Sequence, residues 1–297
     1  MPCRSPLRQY HAPSGWSFNA AKPHTEYRDI DCGVCIECRI RKSRDWAIRC
    51  YHERSMHERS CFITLTYAEN PIALCRRDVT LFFKALRNAG FRFSYFGCGE
   101  YGDETLRPHY HIILFGVDFG HDRYPWRKTQ KGHLQYRSPT LEKHWQHGHA
   151  EIGEATEQSA AYVARYTLKK INGQLANEAD LESGLRPYDR ILPDETVVEV
   201  PKEMLFCSLN PAIGLRWFLK YGAEVYPADS VVMNGREYKP PKYYDSLLKQ
   251  YRPDVWEKVL ATRLENVELL TDEQRAQKCK AKEANRNARG FGKRNAV

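Results

Sequence analysis

No stretch of this 297-residue sequence reaches the roughly 20 consecutive apolar residues that a membrane-spanning helix needs. The first 25 residues lack the apolar core of a signal peptide, so a cytosolic protein is expected, and structural disulfides are not. No G-x-x-x-x-G-K-[ST] string occurs, which excludes a helicase-type phosphate loop. There is no internal repeat. Acidic residues are almost missing at one end: residues 275–297 hold eight Lys or Arg against Glu283 alone. Most of the formal charge of +9 therefore sits in that tail. Its composition, without apolar periodicity, predicts a disordered segment suited to polyanions.

What the sequence has in quantity is cysteine, ten residues in all. Four are placed as a ligand set: Cys3, then Cys32-Gly-Val-Cys35-Ile-Glu-Cys38. A C-x-x-C-x-x-C run brings three thiolates together, and Cys3 can return as the fourth. Four soft ligands in tetrahedral array suit zinc and make magnesium implausible. Iron–sulfur ligation uses similar spacing, and plain buried thiols are the alternative. Cys50, Cys61, Cys75 and Cys98 lie among apolar residues and read as core.

The length suits one elaborated domain or two small ones. Helix periodicity runs from about Arg39 to His57, followed by a β-branched and aromatic strand over Cys61-Phe-Ile-Thr-Leu-Thr-Tyr67. Asp78 to Asn88 has core spacing at Leu81, Phe82, Ala85 and Leu86, with Gly90 as a stop. Strands are expected over Phe91–Gly99, His109–Val117 and His149–Ile152, and helices over Leu141–Gln146 and Thr156–Ile171. The stretch containing Pro125, Gly132 and Ser138 is expected to loop out. The order β-α-β-β-α-β is the split βαβ, ferredoxin-like antiparallel arrangement of the α+β class, with the first and third strands central. Residues 173–200 are polar and loop-like; 203–270 look mostly helical, with one hairpin near Asn234-Gly235. The expected division is a cysteine-rich segment and helix over 1–58, a core over 59–172, a mostly helical accessory region over 173–270, and a basic tail over 271–297.

Two short strings carry chemistry. Arg107-Pro-His-Tyr-His-Ile-Ile-Leu-Phe-Gly116 sets His109 and His111 at i and i+2 on a strand, hence on one face, where both imidazoles can reach one cation. Glu100 ends the preceding strand, and its carboxylate completes a two-histidine, one-carboxylate site with open positions. Such a shell accepts Mn²⁺ or Mg²⁺. Packing histidines and a solvated turn glutamate are the alternative. Tyr162-Val-Ala-Arg-Tyr166 sets two phenols at i and i+4 on a helix, again on one face. A phenol with a reference pKa near ~10 is a poor nucleophile at neutral pH. Nearby Lys169 and Lys170, with a metal polarising the target, favour its attack on a phosphodiester. Aromatic packing is the competing role for the tyrosines.

The strings FITLTY, GEYG…RPHYHIILFG and YVARYTLKK resemble the three motifs of HUH endonucleases that initiate rolling-circle replication. The likeness is nearest to the initiators of microviruses, the gokushoviruses among them. Cys3-Arg-Ser-Pro6 and CGVCIECRIRKSRDWAIRC also look like that group. The resemblance covers residues 1–175 and continues loosely through Leu209-Asn-Pro-Ala-Ile-Gly214 and Pro240-Pro-Lys-Tyr-Tyr244. It implies that His109 and His111 hold the divalent ion with Glu100 as third ligand. It implies Tyr162 and Tyr166 as alternating nucleophiles, assisted by Lys169 or Lys170. The implied activity is nicking of single-stranded DNA at the origin of a supercoiled phage genome. That leaves a 5′-phosphotyrosine and a 3′-OH, with later rejoining into a circle. The implied partners are a host helicase and DNA polymerase, in the cytoplasm of a bacterial host. A relaxase or transposase built on the same nuclease core, and a non-catalytic single-strand-binding replication protein, are the other readings.

Overall fold

The computed structural model describes residues 3–20, 26–102, 105–129, 132–169, 176–180, 183–266 and 271–288, with the side chains of helix 157–169 described at 158–164. The chain forms two compact units, residues 1–42 with 261–297, and residues 43–260. The smaller unit begins with β1 (Leu7–Ala12), β2 (Gly15–Ser17) and β3 (Glu26–Ile30), an antiparallel sheet in the order β2-β1-β3. These strands were not legible as strands, because they are short and largely exposed and so carry no alternation. Helix α1 (Ile36–Ser55) runs on from the cysteine run into the larger unit.

The larger unit is built on β4 (Ser60–Tyr67), α2 (Arg76–Asn88), β5 (Ser94–Tyr101) and β6 (Pro108–Phe115), then β7 (Tyr124–Lys128) and β8 (Leu134–Arg137), then α3 (Pro139–His144), β9 (Gly148–Glu154) and α4 (Glu157–Lys169). It continues with β10 (Asp189–Ile191), β11 (Val197–Glu199), β12 (Met204–Cys207), α5 (Leu215–Ala228), β13 (Val231–Met233), β14 (Arg236–Tyr238) and α6 (Lys242–Tyr251). Seven strands form one antiparallel sheet in the order β12-β5-β6-β4-β9-β8-β7. The first and third core strands, β4 and β6, are central, as their apolar runs require.

Alternation on β4 explains the layering. Cys61, Ile63, Leu65 and Tyr67 are buried, while Phe62, Thr64 and Thr66 point to the opposite face. The first set packs with Ile112, Leu114 and Ile152 against Phe82 and Leu86 of α2 and Leu141 of α3. On the other face, Phe96, Cys98 and Ile113 pack against Val163 and Ala164 of α4 and Cys50 of α1. Cys50, Cys61 and Cys98 are thus core residues, and Cys75 is half-buried.

The stretch expected to loop out after β6 instead forms the hairpin β7–β8 and extends the sheet. All five residues of β7 are exposed, so its stability comes from pairing, and no apolar periodicity announces it. Likewise the polar 189–199 segment is a short hairpin, and Met204–Cys207 pairs with β5 at the sheet edge. The hairpin at Asn234-Gly235 is present, with both residues at positive φ as a two-residue type I′ turn demands. The basic tail contains a helix, α8 (Asp272–Ala288), after α7 (Pro253–Glu265). Its Ala, Gln, Glu, Lys and Arg content is strongly helix-forming, which the expectation of disorder underweighted. Among the described residues no helix is long and apolar enough to cross a membrane.

Candidate metal and tyrosine site

The β5–β6 turn does what the spacing required. Register places Glu100 directly opposite His109 and Cys98 opposite His111, so Glu100 and both imidazoles share the α4 face of the sheet. His109 Nε2 lies 2.8 Å and His111 Nε2 3.1 Å from Glu100 Oε1. Three ligands on one face of an octahedral ion with bonds near ~2.1 Å stand ~3.0 Å apart, so these donors can share one cation. Two imidazoles and a carboxylate are also a fitting donor set for such an ion.

The surroundings fix both rings. His109 Nδ1 is 3.0 Å from the Arg107 carbonyl, which can only accept, so Nδ1 carries a proton and Nε2 is the atom left to face Glu100, or a cation when one is bound. His111 Nδ1 lies 3.1 Å from Thr64 Oγ1 on β4, and its ring stacks on Phe62 at 5.5 Å. Arg107, whose backbone orients His109, anchors the turn by donating to the Tyr67 and Ala68 carbonyls. Glu100 is only 3% exposed. Burial pushes its carboxyl up, but the hydrogen bonds and charges of His109 and His111 outweigh that and hold it below the usual range. It is a buried anion kept ionised by the groups beside it.

Helix α4 delivers Tyr162. Its ring stands edge-on to His111 with centroids 5.1 Å apart, and edge-on to Phe62 at 6.2 Å. Val163 and Ala164, on the same turn, are fully buried against the sheet and set the helix at that depth. Tyr166 and Lys169 belong to α4 by backbone, their side chains lying outside the described residues, as does Lys170 altogether.

Beyond the three donors the same face continues across β9, β8 and β7, with His149 exposed and Glu151 half-buried. Thr64 pairs with Glu151 and Thr66 with His149. Arg127 of β7 bridges Gln135 at 2.9 Å and Glu151 at 2.8 Å. The Arg137 guanidinium lies 4.8 Å over the ring of Trp126, which is 52% exposed, with Tyr124 exposed nearby. The resemblance pointed to the Phe62–Tyr67 strand as part of the sheet and of DNA binding, but sequence reading did not place Thr64 and Phe62 against His111 and missed this aromatic and basic edge. The alternation within FITLTY was the available signal, since it puts Phe62, Thr64 and Thr66 on one face.

Elsewhere, in the smaller unit, Cys3, Cys32, Cys35 and Cys38 are brought together, all four as free thiols with their Sγ atoms within 4.8 Å of one another.

Comparison with known proteins shows which family the chain is similar to. A family model described as replication-associated protein ORF2/G2P matches residues 60–171, which span β4 to α4. The chain is 33% identical to the replication-associated protein VP4 of Bdellovibrio phage phiMH2K over 240 residues, covering 76% of this chain and 69% of that protein. It is 30% identical to the replication-associated protein ORF2 of Spiroplasma virus 4, covering 74% and 68%. A third relative, the replication-associated protein ORF4 of Chlamydia phage 1, is 27% identical, covering 74% of this chain and 54% of that protein. No solved structure matches. The chain belongs to this family of phage replication-associated proteins, of the microvirus type.

Proposed function

We propose that the chain is an HUH-type endonuclease and strand-transferase that opens and recloses the phage origin during rolling-circle replication. The observation that carries this reading is the placement of Tyr162 edge-on to His111, beside the convergent Nε2 and Oε1 atoms of His109, His111 and Glu100. The strand order β5-β6-β4-β9, flanked by helices, is that of the split βαβ ferredoxin-like core and supports the same assignment. The names of the relatives favour replication over plasmid transfer or element movement.

Glu100, His109 and His111 hold a divalent cation, Mg²⁺ or Mn²⁺, which when bound polarises the scissile phosphate. The Tyr162 oxygen attacks phosphorus, the P–O3′ bond breaks, the phenol proton is lost and the departing 3′ oxygen gains one. The products are a 5′-phosphotyrosine and a free 3′-OH. The bond energy is conserved in the tyrosyl ester, and the 3′-OH serves a host polymerase, with a host helicase opening the duplex. Tyr166, one helical turn further along α4, cuts the regenerated origin, and the released 3′-OH then attacks the first ester to close a circle. Lys169 or Lys170 assists the phenols electrostatically. The single strand lies along the open face of β9, β8 and β7, where Trp126 and Tyr124 offer stacking surfaces and Arg127 and Arg137 face the backbone.

The test is to incubate the protein with a single-stranded origin oligonucleotide and Mn²⁺ and to look for a covalent tyrosine–DNA adduct. An adduct absent from the His109→Ala/His111→Ala double variant is the expected result. DNA binding without any adduct would favour the non-catalytic single-strand-binding reading.

A further inference from the structure

We infer that Cys3, Cys32, Cys35 and Cys38 form a closed, structural site for one zinc ion, with ligands wholly distinct from Glu100, His109 and His111. Cys3 Sγ lies 3.4 Å from Cys32 Sγ and 3.7 Å from Cys35 Sγ. Sulfurs joined in a disulfide would stand ~2.05 Å apart. Sulfurs at the corners of a tetrahedron around zinc, with Zn–S bonds of ~2.3 Å, stand ~3.8 Å apart, which is close to what is seen. An iron–sulfur cluster interposes inorganic sulfide and spreads its cysteine sulfurs more widely than a single ion does. Four Sγ atoms within 4.8 Å of one another therefore favour a mononuclear site.

The groups around the sulfurs are those a thiolate cage needs. Backbone N–H groups of Cys32, Cys35 and Arg4 donate to Cys3, Cys32 and Cys35 at 3.3, 3.3 and 3.4 Å. The Arg41 guanidinium donates to Cys38 Sγ at 3.4 Å. Such donors offset the double negative charge of a zinc ion bound by four thiolates. Gly33, between the first two ligands of the run, sits at φ +75° and gives the left-handed turn that aims the Cys35 N–H at the Cys32 sulfur. Cys3 and Cys38 are buried, which shields the cage from solvent.

With four protein ligands no position is left for water or substrate, so the ion is architectural. It fastens the chain before β1 and the chain after β3 to the first turn of α1. That closure gives a small three-stranded sheet, too short to be stable on its own edges, a fixed base.

The test is elemental analysis of the full chain purified without added metal. The expected result is about one zinc per chain, falling at least ~5-fold in Cys35→Ser and unchanged in His109→Ala/His111→Ala. Because Cys35→Ser can aggregate, the wild-type chain exchanged with Co²⁺ supplies an independent reading. Intense visible d–d bands with a sulfur-to-cobalt charge-transfer band are expected, as tetrahedral thiolate ligation produces. The inference is overturned by the absence of stoichiometric zinc, by iron in its place, by weak octahedral cobalt bands, or by zinc that leaves with the histidines and stays in Cys35→Ser. None of these results bears on whether DNA is nicked.

Discussion

At the scale of single residues, Thr64 shows how much of the proposed metal site lies in the groups that support it. Its hydroxyl, 3.1 Å from His111 Nδ1, holds the ring in the orientation that points Nε2 at Glu100. Thr64→Val keeps the shape and β propensity but removes that partner. It should weaken Mn²⁺ affinity by about 10-fold while leaving thermal stability nearly unchanged, as read by calorimetric titration and a melting curve. An unaltered affinity would mean that stacking on Phe62 alone positions the ring. Glu100→Gln is harsher, since it leaves a neutral amide between two imidazoles. It should lower both metal binding and cleavage, and excess Mn²⁺ should restore cleavage only in part.

At the scale of elements, β7–β8 is where the sequence spoke least and the structure adds most. Strand β7 is exposed along its whole length, yet it carries Tyr124 and Trp126 with Arg127 and Lys128 just beyond them. Trp126→Ala should raise the Kd for a single-stranded oligonucleotide about 10-fold, in line with ~1–3 kcal/mol per stacked base, with little change in the salt dependence of binding. Fluorescence anisotropy at two ionic strengths checks both parts; an unchanged Kd would place the strand off this face. Of the elements that were legible beforehand, β4, α2, β9 and α4 bury one face in a core, so their apolar residues repeat with the period of the element. Strand β6 is buried on both faces and was legible as an unbroken apolar run, Ile112 to Phe115. Those that were not, β1 to β3, β7, β8 and β10 to β12, are short or exposed and owe their existence to pairing with distant segments, as Met204 to Cys207 does with β5. The grouping of Glu100 with His109 was legible because one turn joins β5 and β6, making them neighbours by register alone. Thr64 and Phe62 lie on a strand some 45 residues upstream, a pairing that local spacing does not contain.

At the scale of the whole molecule, the larger unit couples its C-terminal region to α1 through a buried histidine. His52 stacks on Trp217 at 3.4 Å and lies 2.9 Å from the Tyr244 hydroxyl. Burial lowers its pKa from 6.5 to about 3. The folded-state value lies below the unfolded one, so between them protons bind the unfolded chain preferentially. The stability contributed by neutral His52 is full above about pH 6.5 and is lost as pH falls toward 3, at up to ~1.4 kcal/mol per pH unit. Chemical denaturation from pH 7 to 4.5 should therefore show a shallower pH slope in His52→Phe than in the wild type. Equal slopes would mean that His52 is protonated in the folded protein.

The central claim, that Tyr162 and the Glu100–His109–His111 group work as one site, is tested most directly by mapping the peptide that becomes linked to DNA. Wild-type protein, Tyr162→Phe, Tyr166→Phe and the double tyrosine variant are each incubated with the same single-stranded origin oligonucleotide and Mn²⁺, digested, and analysed by peptide mass. The expected result is DNA on both tyrosines in the wild type, on Tyr166 alone in Tyr162→Phe, on Tyr162 alone in Tyr166→Phe, and on neither in the double variant. A link to any other residue, or an undiminished adduct in the double variant, would contradict it.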